Sequence, residues 1–397
     1  MVSGSEIDDQ NKVVYSEITA TSDLFSAVVT LTSPPLPTLP EDIIPEILCR
    51  LSVKLLLQLR CVCKLWNALI SDSKFVKKHL RMSTTRRLHF LSYPGRPHNK
   101  YILTSYPLDS VFTDPKADFT QFEYSPNNFN GVYPRGIFQH FIGSCNGILC
   151  FADNYKGLVI LWNPSIRKFK ELPLFTKPKN HWQMAFGFGY DSSKDKYKVV
   201  VVLDYYMPHT TIEGSWVEKI EVKVHTLGTN IWRNIQGYPF GGVPVWGPGK
   251  FVSGTINWLV SGSPRFIVSF DLANESYQKI SLPIGGEDMC DLWSLGVLRD
   301  CLCVTSGGND VWIMEEYGNN ESWTKLFTFP YIGDPNHSHV AIKPIYIFEN
   351  GQVILKFMFC NFYVALYDSK NGTLVPTYFT NTPEVCVESL ISPCSLC

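Results

Sequence analysis

Residues 146–169 read NGILCFADNYKGLVILWNPSIRKF, and their punctuation decides the fold. Asn146-Gly147 is a tight-reversal dipeptide, because both residues tolerate the positive φ that a short hairpin loop needs. An apolar run follows, Ile148 to Phe151, and a later one ends in the turn sequence Trp162-Asn163-Pro164, with the large residue Phe169 arriving seven positions after Trp162. Strand-length runs separated by such turns predict hairpins, not helices.

The same unit recurs downstream. Its first half reappears as Asp195-Lys196-Tyr197-Lys198-Val199-Val200, Ser253-Gly254-Thr255-Ile256-Asn257-Trp258, Arg299-Asp300-Cys301-Leu302-Cys303-Val304 and Asn350-Gly351-Gln352-Val353-Ile354-Leu355. Its second half reappears as His225-Thr226-Leu227 to Trp232, Phe270-Asp271-Leu272 to Tyr277 and Tyr367-Asp368-Ser369 to Leu374, with a longer turn between Ile313 and Trp323. A spacing of about fifty residues is the period of propeller blades. Leu88-His89-Phe90-Leu91 and Tyr101-Ile102-Leu103 read as strands of a degenerate first blade. A closed ring has to hide its edges, so a strand near Val385 to Leu390 is expected to pair with that blade. The expected fold is an all-β propeller of about six blades.

Ahead of it lies a different texture, TLPEDIIPEILCRLSVKLLLQLRCVCKLWNALISDSKFVKKHL, from Thr38 to Leu80. Pro40 suits a first helical position, and Glu41 and Asp42 favour the positive helix end. Ile43, Ile44, Ile47, Leu48 and Leu51 then follow at helical spacing. Ser52 can cap a second helix carrying Val53, Leu55 and Leu56. A third is predicted to begin near Gln58, with Leu59, Val62, Cys63, Trp66, Leu69 and Ile70 on its apolar side and Lys54, Arg60 and Lys64 between. Three short helices cannot enclose this much apolar surface, so the surplus is expected to meet a partner.

In order and spacing, Leu39-Pro40-Glu41-Asp42, Ile47-Leu48, Arg50-Leu51, Val53-Lys54 and Arg60-Cys61-Val62-Cys63-Lys64 with Trp66 resemble the F-box of plant F-box proteins. Pro45 inside the first helix and Ser52, where proline is common, depart from that pattern. Gly143-Ser144-Cys145-Asn146-Gly147-Ile148-Leu149, Leu161-Trp162-Asn163-Pro164-Ser165, Gly187-Phe188-Gly189-Tyr190-Asp191 and Val387-Glu388-Ser389-Leu390 resemble the F-box-associated, kelch-like interaction domain of the same proteins.

The resemblance implies a non-catalytic substrate receptor: a Skp1-like adaptor, and through it cullin and RING subunits, on the F-box, and a protein to be ubiquitinated on the propeller, with no cofactor. Carried over, the adaptor face is Leu39, Pro40, Ile44, Ile47, Leu48, Leu51, Val53, Leu56, Val62, Cys63 and Trp66. The domain division is then a disordered leader over 1–37, an F-box over 38–80, a basic linker over 81–87 and a propeller over 88–397. The linker stretch, with Lys74, Lys77, Lys78, Arg81, Arg86 and Arg87 in and before it, reads as a solvated helix with a charged face; the alternative is a nuclear address.

Interaction propellers bind through loops, and Tyr205 to Trp216, Tyr238 to Pro248 and Tyr331 to His339 are irregular and aromatic-rich. Trp216, Tyr238, Phe240 and Trp246 are therefore the candidate target anchors, with blade-capping aromatics as the competing reading.

A net charge of −1 over 397 residues argues against nucleic acid as a partner. The 12 cysteines are scattered, several within apolar runs and without a secretory signal before them, which favours reduced, buried thiols. The apolar run from Val353 to Leu366 is broken by Lys356 and Asn361 and is too short to span a bilayer. A cytoplasmic or nuclear protein with no membrane association is expected. His337-Ser338-His339 lacks a third metal ligand, Cys394 to Cys397 lacks a second pair, and Gly187-x-Gly189 lacks the helix of a nucleotide loop. A propeller enzyme would need convergent carboxylates or a metal set, whereas Asp191, Asp271 and Asp368 fall in turns. That enzyme, a scaffold working outside any ligase and, within the family the chain resembles, a self-incompatibility or immune-regulator specialisation are the alternatives.

Overall fold

The computed structural model describes residues 43–92, 101–112, 119–124, 139–153, 157–176, 181–208, 216–240, 244, 247–260, 264–283, 293–306, 310–329, 342–357, 364–377, 379 and 383–394. Two compact units divide the chain, Met1–Ile44 and Pro45–Cys397. Of the first, Ile43 and Ile44 are described; the leader expected over 1–37 lies outside the described residues.

Four helices come first: α1 (Ile43–Leu48), α2 (Val53–Leu59), α3 (Lys64–Ser71) and α4 (Ser73–Met82). Pro45 falls in the first turn of α1, where a backbone N–H has no intrahelical partner. Its carbonyl accepts from the Cys49 N–H at 2.9 Å. Ser52 caps α2, its Oγ accepting from the Leu55 N–H at 3.4 Å. The third helix begins at Lys64, not near Gln58, because Arg60 to Val62 turn the chain and Cys63 caps α3 through an Sγ that accepts from the Trp66 N–H at 3.4 Å. Leu59 and Val62 therefore do not share a helix with Trp66.

The described strands form six four-stranded antiparallel sheets. The first blade holds β1 (Arg86–Ser92), β2 (Tyr101–Pro107) and β3 (Thr120–Tyr124). The second holds β4 (Gln139–Cys145), β5 (Ile148–Asp153), β6 (Leu158–Asn163) and β7 (Lys168–Glu171). The third is β8 (His181–Asp191), β9 (Lys196–Pro208), β10 (Trp216–Thr226) and β11 (Trp232–Ile235). The fourth is β12 (Lys250–Val252), β13 (Thr255–Val260), β14 (Phe266–Asp271) and β15 (Tyr277–Ser281). The fifth is β16 (Ser294–Leu298), β17 (Cys301–Thr305), β18 (Asp310–Met314) and β19 (Trp323–Thr328). The sixth is β20 (Ile342–Ile347), β21 (Gln352–Phe357), β22 (Val364–Asp368) and β23 (Thr373–Pro376). The last strand, β24 (Pro383–Val387), completes the first blade as its inner member, in the order β24-β1-β2-β3.

The ring closes where the sequence places the closure, slightly earlier in the chain. Leu88 pairs with Val385, and the strand ends at Val387, after which Glu388 N–H donates to the Thr85 carbonyl at 2.9 Å. The inner strands β24, β4, β8, β12, β16 and β20 each touch the next, and β20 touches β24. The repeat reading holds at residue level: Trp162 lies opposite Phe169, His225 opposite Trp232, Phe270 opposite Tyr277 and Tyr367 opposite Leu374. Such cross-strand pairs of large side chains are the unit from which a sheet gains stability. The turns behave as read too, with positive φ at Asn146, Gly147, Ser253, Gly254, Arg299 and Asp300.

Two boundaries differ from expectation. Helix α4 runs to Met82 and β1 begins at Arg86, so only 83–85 connect them. Tyr205 to Pro208 belong to β9 and Trp216 to β10, paired strand residues and not irregular loop, while 209–215 lie outside the described residues.

Candidate functional site

The helices divide their apolar residues between two jobs. Leu48, Val53, Leu56 and Ile70 are buried. Ile47, Leu55, Val62 and Leu65 are exposed at 44%, 46%, 63% and 65%, values far from those of core residues. Period explains the split on α2: Val53 and Leu56, three apart, face inward, which turns Leu55 out.

Of the residues assigned to an adaptor face, Ile47, Val62 and Cys63 are exposed, and Ile44, Leu51 and Trp66 are half-buried. Leu48, Val53 and Leu56 are a correction: at 2% exposure or less they hold the helices together and offer nothing to a partner. Leu39 and Pro40 lie outside the described residues. Leu55 and Leu65, which the sequence reading did not assign to that face, are exposed as well, each off the buried stripe of its own helix. The exposed Lys54 and Lys64 border these residues in sequence.

Helix α4 is not a solvated linker. One stripe, Phe75 and His79, is buried, and His79 Nε2 lies 2.9 Å from the Leu51 carbonyl, tying α4 to the helices before it. The adjoining stripe, Val76 and Leu80, packs on a core cluster built from blades two and three together with Ile391. Lys77 bridges to Asp195 in the β8–β9 turn, where the Tyr190 hydroxyl also donates. Lys77 comes first, then Tyr190, in holding the Asp195 carboxyl below the usual carboxylate range. Ser83 Oγ donates to the Glu388 carbonyl at 3.0 Å. The result is a strut fixed at both sides.

The stretches that carry the resemblance meet in the ring, and their work there is closure. Asn163, fully buried, donates through Nδ2 to the Ser389 carbonyl at 3.0 Å, to Ser389 Oγ at 3.1 Å and to the Ile391 carbonyl at 2.7 Å. Ser389 Oγ donates to the Asn146 carbonyl at 2.7 Å. Gly147, at φ +83°, lies so close that a Cβ on it would meet Ser389 Cβ at 2.5 Å. Gly187 and Gly189 are strand residues whose missing side chains let Ile256 and Phe251 of blade four approach.

The acidic residues of the turns are structural as well. Asp271 Oδ1 accepts from Ala273 N–H at 2.8 Å and Asn274 N–H at 2.7 Å, and Asp368 Oδ1 accepts from Lys370 N–H at 2.9 Å. Lys198 reaches Asp191 and Glu275 at 3.1 Å each, and Arg233 meets Glu275 at 2.7 Å. Burial pushes the Asp191 carboxyl up, but bonds from Ser193, Lys198 and Lys194 outweigh it and leave the group below its usual range. Burial raises the thiols of Cys145, Cys150, Cys303 and Cys386 above the ordinary thiol range, so they stay protonated. Among the described residues no group of three or more His, Cys, Asp or Glu side chains is arranged to hold a metal ion. His337 and His339 lie outside the described residues, as does Cys397. No described helix is long and apolar enough to cross a membrane.

The four target anchors fare differently. Tyr238 and Phe240 are half-buried and pack against Val260, Phe266 and Val268, as the blade-capping reading has it, with Tyr238 5.6 Å from the Tyr277 ring and Phe240 5.7 Å from the Phe266 ring. Burial pushes the Tyr238 hydroxyl up to about 12. Trp216 opens β10 opposite Pro208. Trp246 lies outside the described residues, as does the stretch from Tyr331 to His339.

Residues 36–78 match the F-box domain family, and residues 101–388 match the family described as the F-box associated beta propeller domain. The chain belongs to the F-box proteins. An F-box/kelch-repeat protein of Arabidopsis thaliana is 30% identical to it over 84% of this chain and 88% of that protein. A second F-box protein of the same plant is 25% identical over 88% of this chain and 89% of that protein. The Arabidopsis F-box protein CPR1 is 27% identical over 73% of each. The F-box match thus covers α1 to α3 and most of α4, and the propeller match runs from β2 to just past β24.

Proposed function

We propose that this F-box protein is the substrate receptor of a ubiquitin ligase of the Skp1-cullin-F-box type. The helices take a Skp1-like adaptor, which brings cullin and RING subunits, and the ring takes the protein to be ubiquitinated. The chain itself acts as a non-catalytic receptor without a cofactor, in the cytoplasm or nucleus.

One observation carries this reading. Within the segment matching the F-box, Ile47, Leu55, Val62 and Leu65 stay exposed although the same helices bury Leu48, Val53 and Leu56. Exposed apolar residues grouped on one small element mark a protein-binding surface. The adaptor face we propose is accordingly Ile44, Ile47, Leu51, Leu55, Val62, Cys63, Leu65 and Trp66, together with Leu39 and Pro40 on the strength of the resemblance. With this reading goes the division into F-box 38–80, linker 81–87 and propeller 88–397, most of α4 belonging to the F-box.

The test is co-expression of the full chain with a Skp1-like protein. The proposal expects a complex that survives gel filtration and that, with cullin and RING subunits added, transfers ubiquitin to a bound target. A folded chain that elutes apart from the adaptor would remove the reading.

A further inference from the structure

Inside the ring, two inner strands, β12 and β20, and the second strand of the sixth blade, β21, bring basic side chains together. Lys250 opens β12, Lys343 lies on β20 and Lys356 lies on β21 directly opposite Lys343 in the antiparallel register. Like charges in opposed cross-strand positions cost stability. Lys250 is within hydrogen-bonding reach of Lys343, although blade five stands between their strands. Its inner strand, β16, carries Gly296 at the middle, so no side chain separates the two there; a Cβ at Gly296 would meet the Pro344 carbonyl at 3.2 Å.

The lysines also feel one another. Burial first, then Lys250 and Lys356, holds the Lys343 ammonium well below the usual lysine range, and Glu384 on β24 offsets part of this. Burial, then Lys250, brings Lys356 down to about 8. Lys250 and Lys343 are half-buried, so they retain access to solvent, while Lys356 is buried.

We propose that Lys250, Lys343 and Lys356 form an anion-binding site in the ring, which takes a phosphate or carboxylate group carried by the captured protein. Its role in capture rests on the receptor function proposed above; the site itself does not. Three ammonium groups converging from β12, β20 and β21 supply charge-assisted donors to one group of anionic oxygens, the arrangement that recognises such groups. An arriving anion stabilises the protonated lysines, so binding near pH 8 draws protons from solution.

The experiment is calorimetric titration of the full chain at pH 8 in two buffers of different ionisation heat, with inorganic phosphate in one arm and glutarate in the other. Saturable binding with proton uptake is expected, and the arm with the higher affinity identifies the preferred group. Lys343→Met should weaken binding by about tenfold or more and cut proton uptake to the share that Lys356 retains. No saturable heat in either arm overturns the site, as does a phosphate response that Lys343→Met retains in full. Adaptor capture, measured on the same variant, should be unchanged. Loss of the adaptor complex in the unsubstituted chain would strike the receptor reading and leave the anion titration intact.

Discussion

Trp162, Phe270 and Tyr367 of the ring keep 4% or less of their surface, whereas Val62 and Leu65 of the F-box keep more than 60% of theirs. Both regions are built from apolar repeats at regular spacing, so hydrophobicity alone does not separate them. Closure does. Each blade buries one face on the blade before and the other on the blade after, and β24 returns to remove the last free edge. Three short helices have no such continuation, and what they leave open is available for another chain. Helix α4 belongs to both regimes, with Phe75 and His79 buried in line with the helices and Val76 and Leu80 on the ring.

The contrast can be broken most forcefully at the closure. Gly147→Ala puts a Cβ at positive φ against Ser389 and the Val387 carbonyl, and should cost about 3 kcal/mol, seen as a lower urea midpoint with adaptor binding retained below it. A loss no greater than for an exposed Gly→Ala change would show that the C-terminal strap does not lock the ring.

Acid should attack the ring next. His89 and His225 are buried, and burial lowers them to about 3 and about 4. Their folded values lie below the unfolded value near 6.5. Stability is therefore full above that pH and declines as pH falls from about 6.5 toward the folded values, by roughly 2 kcal/mol for each near pH 4.5. Denaturant midpoints measured from pH 7 to 4.5 should show this slope, and His89→Gln should flatten it.

Smaller effects sharpen the division. Asp271→Ala leaves two turn N–H groups without their acceptor and should cost about 1 kcal/mol by urea titration, without touching adaptor affinity. Lys77→Ala removes a partly exposed ion pair, which solvent screening limits to about 0.5 kcal/mol, so its Tm should barely move.

The ring was legible because its signals are local. A turn dipeptide with positive φ and a large residue seven positions after another, as with Trp162 and Phe169, each report one hairpin, and the repetition reports the blade count. The F-box was legible as a pattern of residue types but not as a surface. Which side of a short helix faces inward depends on neighbours that the sequence does not show, so Leu48, Val53 and Leu56 entered the adaptor face while Leu55 and Leu65 did not. The start of α3 was misplaced for a chemical reason: its cap is Cys63, outside the Ser, Thr, Asp and Asn set that marks helix starts. Tyr238 and Phe240 read alike from sequence as partner anchors or blade covers, because an aromatic beside Gly and Pro serves either, and both pack on Val260, Phe266 and Val268. The docking of α4 had a signal that went unused, since Phe75, Val76, His79 and Leu80 fall in two adjoining helical stripes.

The central claim is that the exposed helical residues, and not the buried ones beside them, hold the adaptor. The direct measurement is titration of a Skp1-like protein into the full chain and into the Ile47→Asp, Leu65→Asp double variant, with Tm read on both. The account predicts an unchanged Tm and an affinity lower by about a hundredfold, as expected when hot-spot residues are lost. Equal affinities for two folded proteins would contradict it.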